Sequence, residues 1–260
     1  GLALGLDTLV IRALNVRVEM KQVKLSKTGE KEDSGFLQVF FTAYVFLFML
    51  FLLIITSGQL LVRSILEEKS NRIVEVLVSS CSSTELMAGK VLGLSALGFT
   101  QIGFWALMGV VASLSFGVVF VTPGIAALLI VYFVLGYLFY AAVFIGAGSP
   151  LTTEQEAQQV TSYLVMLLVL PIALAFPAMQ NPDATWIRIL TFIPFLTPTM
   201  MALRIPIQMP SAWEIAATMI LLVVSIFFAM VAAGRIFRIA ILSTGKSPKI
   251  AEIFRWAREG

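Results

Sequence analysis

The chain has 260 residues, of which 59% are hydrophobic and 13% charged, and its formal net charge is +3. A mean hydropathy of +0.95 lies well outside the range of a soluble domain of this length, so the chain is expected to be an integral membrane protein. The absence of histidine and the single cysteine, Cys81, exclude an internal disulfide and remove most metal and acid–base chemistry.

Residues 1–35 are too polar for a signal peptide or a membrane span. Within them Val16, Val18 and Met20 alternate with Arg17, Glu19 and Lys21, the pattern of a half-buried strand. The turn-rich run K-T-G-E-K-E-D-S-G follows, so the segment reads as the end of an extracytoplasmic domain. A bilayer core of roughly 30 Å takes about 20 apolar residues per helix. Five stretches qualify, at 36–62, 86–114, 125–147, 160–176 and 213–233. They are continuously apolar rather than alternating, which argues for helices and against a β-barrel.

Between the first two spans lies E-E-K-S-N-R-I-V-E-V-L-V-S-S, residues 67–80. Leu66, Ile73, Val76 and Leu77 share one side of a helix, and Glu68 with Arg72 forms an i,i+4 pair on another, so an amphipathic helix over about 64–80 is expected along the membrane surface. Ser82 with Glu85 fits an S-x-x-E capping box, which starts the next helix near Ser83. Val121, Thr122, Pro123 and Gly124 make a short turn between the second and third spans. The third ends at Gly148, Ser149 and Pro150. Thr153 with Glu156 makes a second capping box, leading into a small acidic element, E-Q-E-A-Q-Q.

Seven of the ten prolines fall between Pro171 and Pro210. Mixed with Trp186, Arg188 and many apolar residues, they suit short interfacial or re-entrant helices over about 177–210, because unpaired backbone cannot face lipid. After Arg235 the tail carries an apolar stripe of Ile250, Ile253, Phe254 and Ala257 beside Arg255 and Arg258, an amphipathic helix. Lysines and arginines gather in the loop at Arg63, Lys69, Arg72 and Lys90 and in the tail, 236–260, which places both on the cytoplasmic side.

These pieces, in this order, resemble the ABC-2 family of ATP-binding-cassette transporter permeases, and within it the sodium-exporter-like subgroup. The resemblance rests on the 67–80 run with E-L-M-A-G-K-V-L-G behind it, on T-T-E-Q-E-A-Q-Q, on F-I-P-F-L-T-P-T-M-M-A-L-R and on the tail G-K-S-P-K-I-A-E-I-F-R-W. It implies an all-α, six-span, type V exporter-like permease of which this chain carries five spans, in a bacterial cell membrane. It also implies that Glu67, Glu68, Lys69, Asn71, Arg72 and Glu75 belong to a coupling helix that docks on an ABC ATPase subunit, with Thr153, Glu154 and Glu156 as a second cytoplasmic contact. ATP and magnesium would then bind to that partner, and a second permease subunit, identical or similar, would complete the pathway among membrane lipids. No nucleic-acid partner is expected.

The residues themselves argue against other classes. A P-loop needs G-x-x-x-x-G-K-[ST], and although Gly245, Lys246 and Ser247 supply its end, Ala240 stands at the first glycine. An intramembrane protease needs histidines or paired aspartates, and Asp7, Asp33 and Asp183 lie outside the spans. A proton- or ion-coupled transporter normally carries ionisable groups deep in the bilayer, and the deep parts of these spans carry none. Thr100, Gln101, Ser113 and Thr161 are the polar candidates for lining a path, though hydroxyls also serve as hydrogen bonds between helices. A non-transporting subunit that passes ATPase motion to an envelope partner, or a stand-alone scaffold, is the remaining alternative.

Overall fold

The computed structural model describes residues 36–70, 82–116 and 121–240. The expected strand near residue 18, the segment 71–80 and the amphipathic tail beyond 240 lie outside the described residues. Among the described residues eight helices follow one another: α1 (Phe36–Ser70), α2 (Ser83–Phe116), α3 (Pro123–Gly148), α4 (Glu154–Ala173), α5 (Ala175–Gln180), α6 (Thr185–Thr191), α7 (Thr197–Ile207) and α8 (Ala212–Ala240). There is no strand among the described residues. Five of these segments are long and apolar enough to cross a membrane.

The starts of α2, α3 and α4 follow from local chemistry. Ser82 donates its backbone N–H and its hydroxyl to Glu85 Oε2 at 2.8 and 2.7 Å, and Glu85 N–H returns a bond to Ser82 Oγ at 3.3 Å. That is a complete capping box at the start of α2. Thr153 Oγ1 likewise accepts from Glu156 N–H at 3.2 Å, but the Glu156 carboxylate reaches back one residue further, to Thr152 N–H at 3.1 Å. At α3, Pro123 stands in the first turn, where its missing N–H costs nothing.

α1 has no such stop. Its 35 residues span about 52 Å at a rise of 1.5 Å per residue, well beyond the hydrocarbon core. No proline or glycine interrupts it after Gly58. The helix therefore runs on through Arg63, and Glu67, Glu68 and Lys69 lie in its final turns rather than after a break at residue 62. The acidic element at 154–159 is likewise the first part of α4, continuous with the fourth span. The proline-rich region folds as α5, α6 and α7, which enclose a second core: Ala43 and Leu47 of α1 meet Ala178, Met200 and Leu203.

α3 is the central helix, with 61% of its apolar window buried against 11% for α2 and for α8. It packs most extensively on α8 and α7. Two close approaches need glycine. A Cβ at Gly58 would overlap the Phe144 ring, and one at Gly136 would come within 2.7 Å of Pro198 Cβ. The outward faces of α2 and α8 leave Leu92, Phe104, Leu107, Ile220 and Phe227 exposed, an apolar surface suited to the interior of a membrane.

Candidate functional site

The described charged residues lie at two ends of the bundle, with none between. At the first end the last turns of α1 are tied to its neighbours. Glu68 pairs with Lys90 of α2 at 2.8 Å, and Lys90 also donates to Ser64 Oγ at 2.7 Å. Lys69 donates to the carbonyls of Ser149 and Leu151, at 2.8 and 3.2 Å, in the turn between α3 and α4. Glu156 lies close enough to attract the same ammonium. These bonds satisfy carbonyls left open where α3 ends, the role cations take at helix C-termini. Glu67 is exposed, and its partner among the described residues is Arg63, at 3.8 Å.

Of the residues expected to dock a partner, Glu68 and Lys69 are thus committed inside the protein and Glu67 is presented outward. Asn71, Arg72 and Glu75 lie outside the described residues. Thr153 and Glu154 are exposed at the start of α4, and Glu156 is half-buried. A cleft of about 180 Å³ opens between α1 and α4, lined by Gln59, Arg63, Glu154, Gln158 and Thr161 among others. Thr161 borders that cleft from within the packing, its side chain buried. Neither Thr100 nor Gln101 lines that cleft. Thr100 is exposed on α2 and bonds the Ala96 carbonyl of its own helix at 2.8 Å. The side chain of Ser113 lies outside the described residues.

The second end holds a network that the sequence reading did not assemble. Glu214, in the first turn of α8, is buried and accepts from Arg204 of α7 at 3.1 Å and from Arg188 of α6. Arg204 is 1% exposed and reaches Asp183 at 3.4 Å, and Gln208 donates to the same carboxylate at 2.7 Å. Arg188 also stacks over Trp213, 5.9 Å from the ring. One turn further along α8, Thr218 shares a 2.6 Å hydrogen bond with Tyr132 of α3. The signal was available. Residues 177–214 hold two acids and two bases in an otherwise apolar stretch, and ionisable groups at membrane depth are normally paired.

Five membrane-capable helices among the described residues, with charge held at the two ends, define a multi-pass membrane protein. The chain belongs to the ABC-2 family: the family model described as ABC-2 family transporter protein matches residues 5–235. It is 32% identical to the uncharacterized protein MJ1024 of Methanocaldococcus jannaschii over 233 residues, covering 90% of this chain and 56% of that protein. It is 27% identical to the uncharacterized protein YhaP of Bacillus subtilis over 257 residues, covering 94% of this chain and 61% of that protein. The chain therefore spans a little under two thirds of the length of these relatives. No solved structure matches it.

Proposed function

We propose that the chain is the membrane-spanning part of a permease subunit in an ATP-driven exporter, non-catalytic itself, with ATP and magnesium on a separate ABC ATPase. The observation that carries this reading is α1. One unbroken helix leads from the second core, beside α5–α7, to Glu67, which is exposed. Its last turns are tied by Glu68 to α2 and by Lys69 to the α3–α4 turn. Push on the segment that follows, and two spans, α1 and α2, and the α3–α4 turn move with it.

On this reading Glu67, together with Asn71, Arg72 and Glu75, forms the ATPase contact. Thr153 and Glu154 add a second contact at the same end, and Glu68, Lys69 and Glu156 transmit displacement inside the subunit. That end and the C-terminal tail are cytoplasmic, in the cell membrane. Closure of the ATPase pair draws the ends of α1 together in two permease copies, identical or similar, and the spans exchange inward-open for outward-open states. ATP shifts this equilibrium only by binding the closed state more tightly. Substrate passes along the polar wall that includes Thr161 and Gln158.

The test is co-purification of the full-length protein from its own membrane, with an ATPase assay on the eluate. An ABC ATPase in stoichiometric amount is expected. A gently solubilised, folded sample without one would refute the assignment.

A further inference from the structure

Three buried hydroxyls from three spans come together at mid-depth in the bundle. Ser57 of α1, Ser95 of α2 and Tyr137 of α3 are 3%, 3% and 2% exposed. The membrane-capable segments 40–69, 85–111 and 123–148 have their midpoints near residues 55, 98 and 136, so each of the three lies within one helical turn of the centre of its span. Ser57 and Ser95 are near enough to the Tyr137 hydroxyl to act on it. None of the three oxygens, however, has a hydrogen bond of normal length and angle among the described residues. Gly98 sets the approach: an added Cβ there would stand 2.9 Å from Tyr137 Cε2, so the missing side chain lets the ring lie against α2, one turn from Ser95.

Neighbouring residues show how such groups are otherwise satisfied. The other two buried tyrosines of α3 have protein partners: Tyr132 shares a 2.6 Å bond with Thr218, and Tyr140 donates to the Phe195 carbonyl. Thr56 and Thr100, on the same helices as the two serines, each turn back to a carbonyl of their own helix at 2.8 Å. Ser57 and Ser95 do neither. At the centre of a membrane no bulk solvent makes up the loss, and an unpaired hydroxyl is costly there. Three converging oxygens that do not bond one another match the requirement of a buried water, which typically makes about three hydrogen bonds. The ligand they select is neutral, because hydroxyls carry no charge to offset an ion. Leu61 of α1 and Val91 of α2, both buried and one turn beyond Ser57 and Ser95, separate the site from the Glu68–Lys90 pair.

We propose that Ser57, Ser95 and Tyr137 bind one water molecule at the centre of the membrane, and that this water joins α1, α2 and α3. It helps to hold α2, a span with only 11% of its apolar window buried. The inference rests on the membrane-spanning fold and not on the ATPase contact, so the two stand or fall separately. The experiment is radiolytic hydroxyl-radical labelling of the full-length protein in lipid nanodiscs, read by mass spectrometry with and without a soluble radical scavenger. Radicals born from a held water oxidise the side chains beside it and escape the scavenger. Tyr137 is expected to be labelled in both conditions, while Tyr132 and Tyr140, equally buried but paired within the protein, stay unlabelled. The double variant Ser57→Ala, Ser95→Ala should lose the Tyr137 label and leave Tyr132 and Tyr140 silent. An unlabelled Tyr137 in the wild-type protein, or a label that the scavenger removes, would overturn the proposal. So would a Tyr137 label that the double variant retains while Tyr132 and Tyr140 remain silent.

Discussion

Glu214→Gln should be among the most damaging single-atom changes in the protein. Arg204 is 1% exposed, and Glu214 is its buried partner at 3.1 Å. With the carboxylate gone, the buried guanidinium keeps Asp183 as its charged partner among the described residues, at 3.4 Å and with its own side chain 55% exposed, and a 3.5 Å contact to the Thr191 hydroxyl. Breaking a buried ion pair on one side costs about 3–5 kcal/mol, because the remaining charge stays desolvated. Arg204→Met should cost less, about 2 kcal/mol, the lower range for a group left with a partner, since Glu214 still pairs with Arg188. The double variant should be no worse than Glu214→Gln alone, a coupling of about 2 kcal/mol, typical of contacting residues in one network. The assay is a double-mutant cycle on denaturant unfolding of the detergent-solubilised protein. Strictly additive losses, or a Glu214→Gln variant within about 0.5 kcal/mol of wild type, would refute the claim that this network holds α6, α7 and α8 together.

Asp183→Asn is expected to cost less than about 1 kcal/mol in the same assay, because an exposed partner is screened by solvent. Gly58→Ala should destabilise by about 1–3 kcal/mol through overpacking against Phe144, and Phe144→Leu in the same chain should recover most of the loss. Ser82→Ala removes the hydroxyl of the capping box and should cost about 1 kcal/mol, read as earlier unfolding with no change in oligomeric state. Lys69→Gln releases the α3–α4 turn from α1. It should leave ATPase association intact while lowering transport per ATP in reconstituted vesicles, and unchanged transport would count against the transmitting role.

The spans were legible because a bilayer imposes one rule, about 20 apolar residues per crossing, and this chain follows it with little charge inside. The capping boxes were legible because Ser82 with Glu85 and Thr153 with Glu156 are local chemistry, decided within four residues. The end of α1 was not, because composition changes at Arg63 while backbone geometry does not. A charged turn continues a helix as readily as an apolar one when no glycine or proline intervenes. The Arg204–Glu214 network was hidden for the opposite reason: its members are 10 residues apart on two helices with a break between them, and no periodicity reports such a contact. The outward or inward aim of adjacent acids was also out of reach. Glu67 and Glu68 are equivalent as letters, and only the position of Lys90 on α2 turns one of them inward.

That difference allows the most direct test of the coupling account. Full-length protein and its ATPase are reconstituted in vesicles, and Glu67→Arg is compared with Glu68→Gln for ATPase association and for transport per ATP. The account predicts that Glu67→Arg weakens association, while Glu68→Gln keeps the ATPase bound and lowers transport per ATP. Full association and full transport in Glu67→Arg, with the two variants indistinguishable from wild type, would contradict it.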